Sequence, residues 1–280
     1  MGYSHMNLVF PQWQGSWPDS STYNGAQDLV ARYLENTPYT QVKVSTDPHC
    51  EIEKNIYGYP VISRQLSEAK ALIEQAQPDT LFTIGGGCDA DVTSIAYMNR
   101  KLAGNLTVLW LDAHADLNLP VTSASKLFFG MPVRTLIGEG DTEIIRLLDS
   151  KLAPSQVIQL GVRDIDPPEK EYIASACIRE LTVSEVEQDI SSVISAIREN
   201  GRDNLYIHLD LDVLEPALFP YVPLPAPAGL APETLRKLLR RLRAEFHIPG
   251  IGLFEYMPSP EPGMALLEEI FAMGKALKQR

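Results

Sequence analysis

The sequence predicts an α/β fold built on a mostly parallel sheet covered by helices on both faces. Two observations lead there. Short apolar runs alternate with amphipathic stretches along the whole chain, and strands joined by helices of ten or more residues require crossovers that pair neighbours in parallel. Several apolar runs also end in carboxylates, and in open α/β sheets the site lies beyond the carboxyl ends of the strands.

In chain order, "NLVF" (7–10) is the first strand, followed by a helical "GAQDLVARYLE" and a strand "QVKV" (41–44). The 3.6-residue apolar spacing of "RQLSEAKALIEQA" (64–76) predicts a helix leading into the strand "TLFTI" (80–84). "TVLWL" (107–111), "QVIQLGV" (156–162), "NLYIHLDLD" (204–212) and "HIPGIGLFEY" (247–256) are further strands, and a closing helix runs over roughly 263–278. The Pro-rich "FPYVPLPAPAG" (219–229) reads as a loop within one domain, because the strand–helix rhythm resumes after it. The opening "MGYSHM" has neither a basic region nor an apolar run and is no signal peptide. Residues 1–5 read as a remnant added for expression, with Met6 as the native start and 6–280 as one domain.

At 280 residues, 45% hydrophobic and 21% charged, the chain can bury a sizeable core. Its net charge of −12 argues against nucleic acid or an anionic membrane as partner. No run approaches the ~18 apolar residues of a membrane span. Three scattered cysteines, Cys50, Cys88 and Cys177, do not form a disulfide framework, which places the protein in the cytoplasm.

The strand ends carry the chemistry. "TLFTI" is followed by "GGGCDAD" (85–91), "TVLWL" by "DAHAD", and "IGLF" by Glu255, while "IHLDLDVLEP" holds Asp210, Asp212 and Glu215. In an extended chain side chains two apart share a face, so Asp112, His114 and Asp116 converge. A lone Asp or His there would read as a solvated loop; three converging groups do not. Like charges so close disfavour joint ionisation, and no basic residue adjoins either carboxylate motif. Divalent cations resolve the conflict: Asp112, Asp116 and Asp210 could serve one ion, and His114, Asp212 and shared carboxylates a second. Oxygen-rich ligation with one imidazole suits Mn²⁺.

"DAHADLN", "GVRDIDP", "HLDLDVLEP" and "GLFEYMPS", with "PQWQG" and "FGMPV", resemble the arginase (ureohydrolase) family in the same order along nearly the whole chain. The resemblance implies a three-layer α/β/α sandwich, two Mn²⁺ ions, a homo-oligomer, and hydrolysis of a guanidino or formimino group with release of urea or formamide. It implies Asp112, Asp116 and Asp210 as ligands of the first metal, with Cys88 at the place of a histidine ligand. Asp112, His114, Asp210 and Asp212 would hold the second, so Asp112 and Asp210 bridge. Asp116 and Glu255 are the implied catalytic residues, Glu255 holding the guanidinium. Asn118, Ser125 and Asp166 match positions that contact the amino-acid end of arginine.

Several departures stand out. Thiolate is a soft donor for Mn²⁺, so Cys88 is either a ligand favouring another metal or a small core residue, with Asp91 as an alternative oxygen donor. Glu215 replaces the family's aspartate. Phe129 stands where arginases have a proton-shuttling histidine; His49, in a polar loop, and His208, on a strand and read as core, are the candidate replacements. Leu127 replaces an asparagine that holds the carboxylate of free arginine. Apolar Leu127 and Phe129 suit an arginine residue within a peptide, as in peptide arginases, with free arginine, agmatine or a formimino compound as alternative substrates. A weakly metallated, regulatory family member is the competing reading.

Overall fold

A computed structural model describes residues 3–16, 19–261 and 263–277. Among the described residues ten strands form in chain order: β1 (His5–Phe10), β2 (Thr40–Gln41), β3 (Ile52–Glu53), β4 (Ile56–Tyr57), β5 (Thr80–Gly85), β6 (Leu106–Leu111), β7 (Val157–Leu160), β8 (Arg179–Leu181), β9 (Asn204–Asp210) and β10 (His247–Phe254). Eight make one sheet in the order β2-β1-β5-β10-β9-β6-β7-β8, while β3 and β4 form a separate hairpin. Every pairing in the large sheet is parallel, as helical crossovers require.

Side chains alternate across the sheet with a period of two. On one face Phe82, Ile84, Leu109, Leu111, Leu205, Ile207, Leu209, Ile251 and Leu253 pack under the helices Ser21–Tyr33, Ser191–Asn200, Pro232–Glu245 and Ala265–Gly274. On the other face Leu81, Val108, Trp110, Tyr206 and Phe254 pack under Tyr59–Ala76, Val92–Lys101, Pro132–Ile137, Thr142–Leu147 and Pro167–Ala176. Both faces are covered, giving three layers. The four strands that end in carboxylates or Cys88 (β5, β10, β9 and β6) are consecutive neighbours at the sheet's centre.

Local differences from the sequence reading follow from packing. The strand expected over 41–44 is shorter and starts one residue earlier, at Thr40–Gln41, with the Val42 N–H adding a bond to Val9 at the sheet's edge. The second helix starts at Tyr59, five residues before the amphipathic run, with Pro60 in its first turn. The closing helix spans Ala265–Gly274, and the expected end at 278 lies outside the described residues. The 219–229 segment is a loop, as expected. β1 starts at His5, whose ring hydrogen-bonds Thr80 at 2.9 Å, so the strand reaches one residue before Met6. The three cysteines are free, and no helix among the described residues is long and apolar enough to cross a membrane.

Candidate metal centre

Two strand ends turn in the same way. Asp112, just after β6, accepts the backbone N–H of His114 on Oδ1 at 2.6 Å, and Asp210, closing β9, accepts that of Asp212 on Oδ1 at 2.7 Å. Each turn folds a second ligand-type side chain back over the first. His114 Nδ1 then lies 2.8 Å from Asp212 Oδ2 and 3.5 Å from Asp112 Oδ1. Asp212 Oδ1 is fixed by the N–H of Ala113 at 2.9 Å. Asp112, His114 and Asp212 thus form one group able to hold an ion.

The remaining oxygens face a second group. Asp210 Oδ2 lies 3.0 Å and Asp112 Oδ2 3.9 Å from the Cys88 sulfur, with Trp110 Nε1 donating to that Asp112 oxygen at 3.0 Å. Cys88, Asp210 and Glu255 have ligand atoms within one ion's reach, and so do Cys88, Asp112 and His208. Asp112 therefore turns one oxygen to each group, the arrangement a bridging carboxylate needs.

Burial makes these groups expensive to leave uncompensated. Asp112, Asp116, Asp210, Asp212 and Glu255 are all buried. Burial, then the charges of Asp112 and Asp210, pushes the Asp116 carboxyl well above its usual range. Burial, then Asp212 and Asp112, does the same to Asp210, and burial leads the rise at Glu255. Burial alone would lower His114, but hydrogen bonds to Asp112 and Asp212 hold its imidazole far above the usual range. Both Asp116 oxygens and Glu255 Oε1 are buried without a hydrogen-bond partner. Their backbones sit in the left-handed region, at φ 56° and 58°, a conformation held by its surroundings and concentrated at functional sites. Unpartnered oxygens beside a hard-to-borderline donor set are what bound divalent cations would satisfy.

Above the centre opens a cavity of about 320 Å³, lined on its acidic side by Asp116, Asp164, Asp166 and Glu169, with His114, Asn118, Ser123, Ser125, Phe129 and Leu224. Asn118 is committed on both ends of its amide, donating to Asp166 Oδ2 at 2.9 Å and accepting from Thr122 at 2.9 Å. Ser125 and Asp166 are exposed at the mouth. Glu255 lies deeper, outside the cavity lining, with Oε2 accepting from Ser16 at 2.6 Å.

Three sequence expectations need correction or narrowing. Asp91 is no ligand candidate: its carboxylate accepts from Tyr206 at 2.6 Å and sits 2.8 Å from His208 Nδ1. Leu127 is buried and absent from the cavity lining, so of the two departures only Phe129 reaches the rim, where it joins Leu224 and Ala124. His49 is exposed and lines no part of the cavity. Glu215 caps the Pro-rich loop, accepting the Gly229 N–H at 3.0 Å.

Sequence reasoning also passed over Asp89 and Arg163. Asp89 is buried with Oδ1 unpartnered, and burial pushes its carboxyl up to about 7. Arg163 donates to the carbonyls of Asp212, Ala226 and Pro227 and ties the Pro-rich loop to the end of β9. A period-two count back from Asp210 would have put His208 on the site's face; Arg163 stands within the quoted "GVRDIDP", but its role rests on carbonyl partners roughly fifty to sixty positions away.

Fold and centre together define a doubly covered parallel α/β protein with residue groups able to hold cations at its central strand ends. A family model described as the arginase family matches residues 20–269, and the chain belongs to that family. An arginase of Staphylococcus aureus (strain COL) is 30% identical over 180 residues, or 62% of this chain, and the match spans 59% of that relative's length. The arginase of Entamoeba histolytica is 27% identical over 239 residues, covering 84% of this chain and 80% of the relative. Among solved structures, Entamoeba histolytica arginase in complex with L-ornithine superposes with a TM-score of 0.86 at 20% identity, over 98% of this chain and 99% of that one. Formimidoylglutamase from Bacillus subtilis gives 0.70 at 17% identity, over 99% and 85%. At such identities these likenesses speak for the fold.

Proposed function

We propose that the chain hydrolyses a guanidino C–N bond and releases urea, using two divalent ions held between Asp112, His114, Asp116, Asp210, Asp212 and Cys88. The observation that carries this is Asp112, buried and turning one oxygen to each of two ligand groups. The oxygen-rich group with His114 suits Mn²⁺. When bound, paired ions supply Lewis acidity and acidify water toward neutral pH.

The chain's own residues do the rest. Glu255 Oε1, buried and open, offers a guanidinium a charge-assisted hydrogen bond while Ser16 steadies the other oxygen. Asp116 belongs to the buried cluster and also lines the cavity. We assign to its carboxylate the transfer of water's proton to the departing nitrogen, since Phe129 cannot titrate.

The substrate is an arginine residue within a peptide. Among the described residues the cavity lining carries four carboxylates against His114 and no lysine or arginine, so the carboxylate of free arginine would meet a surface of net negative charge. Asn118, a neutral donor that could have met it, is already engaged by Asp166. A peptide arrives with uncharged amides. The same acidic mouth supports agmatine as a second reading, because its free amine would meet Asp164 or Asp166.

The test is urea release at saturating metal from free L-arginine, agmatine and a peptide with internal arginine. Catalytic efficiency should be higher on the peptide than on free arginine; equal or better turnover of free arginine would reduce Phe129 to packing.

A further inference from the structure

The group around Cys88 contains a feature that an oxygen-rich site does not need. His208 Nε2 points at the Cys88 sulfur from 3.2 Å, and with Asp112 the two have ligand atoms within one ion's reach. His208 is fully buried on β9, two residues before Asp210, so both point to the same face. Its ring is clamped between Trp110, stacked at 3.4 Å and 6°, and Phe254, at 4.7 Å and 12°.

The far nitrogen of the ring is held as well. Nδ1 sits 2.8 Å from Asp91 Oδ2, and Asp91 takes a second bond from Tyr206. A carboxylate on one imidazole nitrogen fixes the tautomer so that the other presents a lone pair, the support a metal-binding histidine usually has. The sheet makes room for it. Gly252 is the register partner of His208 on β10, and a Cβ there would come within 2.4 Å of Asp91. Gly250, opposite Tyr206, would meet that ring at 2.2 Å. Both glycines of "PGIG" therefore clear space for the support of one imidazole.

Cys88, His208 and Asp91 also resemble a thiol–imidazole–carboxylate triad. Cys88 is fully buried, however, and its sulfur lies 3.0 Å from Asp210, an anionic neighbour that opposes a thiolate. A cation between these groups reverses that opposition. Donor atoms sharing a tetrahedral zinc-sized ion sit roughly 3.3–3.8 Å apart; the sulfur lies 3.0, 3.2 and 3.9 Å from Asp210, His208 and Asp112, each within a few tenths of an ångström of that range.

We propose that His208 and Cys88 are both ligands of the first ion, making a mixed sulfur–nitrogen–oxygen site with Asp112 and Asp210, positioned by Asp91. Such a site takes a borderline-soft ion of the Zn²⁺, Co²⁺ or Fe²⁺ kind in preference to Mn²⁺. The inference rests on the two-metal reading above and changes the chemistry of one of its sites.

The experiment loads the metal-free full chain with Co²⁺, and separately with Zn²⁺ and Mn²⁺, and measures bound equivalents and the absorption spectrum. Wild type should bind two Co²⁺ and show a sulfur-to-cobalt charge-transfer band, and Zn²⁺ should displace Mn²⁺ from the Cys88 site at lower concentration than from the His114 site. Cys88→Ser should lose the band. His208→Gln should lose one tightly bound equivalent and shift the band, while the His114 site stays filled. Asp91→Asn, close in shape and the safer variant to fold, should weaken the first ion ~10- to 100-fold. Two equivalents in wild type, with an unchanged band and affinity in His208→Gln and Asp91→Asn, would make His208 packing and overturn the assignment alone. No metal uptake by the folded wild type would overturn the two-metal reading together with it.

Discussion

At Asp116, two carboxylate oxygens are buried with no hydrogen bond at all, and at Glu255 one of two is in the same state. An unsatisfied charged group costs several kcal/mol unless something meets it, so these atoms define what must enter the site. Replacing Asp112 or Asp210 with Ala should abolish urea release and lower metal content, because each has oxygens facing more than one ligand of the cluster. Metal analysis alongside turnover checks this; a variant with full metal and full rate would remove the bridging role. Glu255→Gln keeps the shape and removes the charge. It should keep its metal yet lose kcat/KM by roughly 10- to 150-fold, the equivalent of ~1.5–3 kcal/mol for a charge-assisted hydrogen bond. Metal loss in that variant would instead make Glu255 a ligand, in line with its place beside Cys88 and Asp210.

At the scale of elements, the centre depends on four parallel strands ending side by side, and on the glycines of β10. Gly252→Ala puts a methyl group 2.4 Å from Asp91 and from the Phe254 ring. Overpacking of this kind costs about 1–3 kcal/mol. Denaturant unfolding should show that loss, together with weaker binding of the first ion; unchanged stability would mean that Asp91 moves aside freely. The strands themselves were legible because buried parallel strands are near-continuous apolar runs, and the carboxylates because each breaks such a run at its end. Less was legible where a residue's meaning depends on a partner far along the chain. His208 reads as core by sequence and is indeed packed between Trp110 and Phe254, but its Nε2 reaches Cys88 across 120 positions. Asp91 reads as an oxygen donor, yet Tyr206 and His208 occupy it. Leu127 shares the rim loop with Phe129 but turns inward; spacing cannot tell the two apart in an irregular segment.

For the whole molecule, the proposed two-metal centre would make metal part of the folded state's stability. Ions that bind only the native centre stabilise by about 2.7 kcal/mol at a hundredfold excess over Kd. Chelation should therefore lower Tm, and divalent metal should restore it; a Tm indifferent to chelator and metal would count against a preformed site. The net charge of −12 and the acidic cavity mouth act in the same direction, drawing cationic substrates and repelling free carboxylates. A peptide carrying arginine between neutral residues should thus be preferred at low salt, with the preference narrowing as salt screens the mouth.

The most direct measurement is urea formed from a peptide with one internal arginine, by protein loaded with both ions, against the Asp112→Ala variant under the same conditions. The account predicts urea in step with conversion of that arginine to ornithine in the wild type, and none from the variant. A fully metallated wild type that released no urea from this peptide, free arginine or agmatine would contradict it.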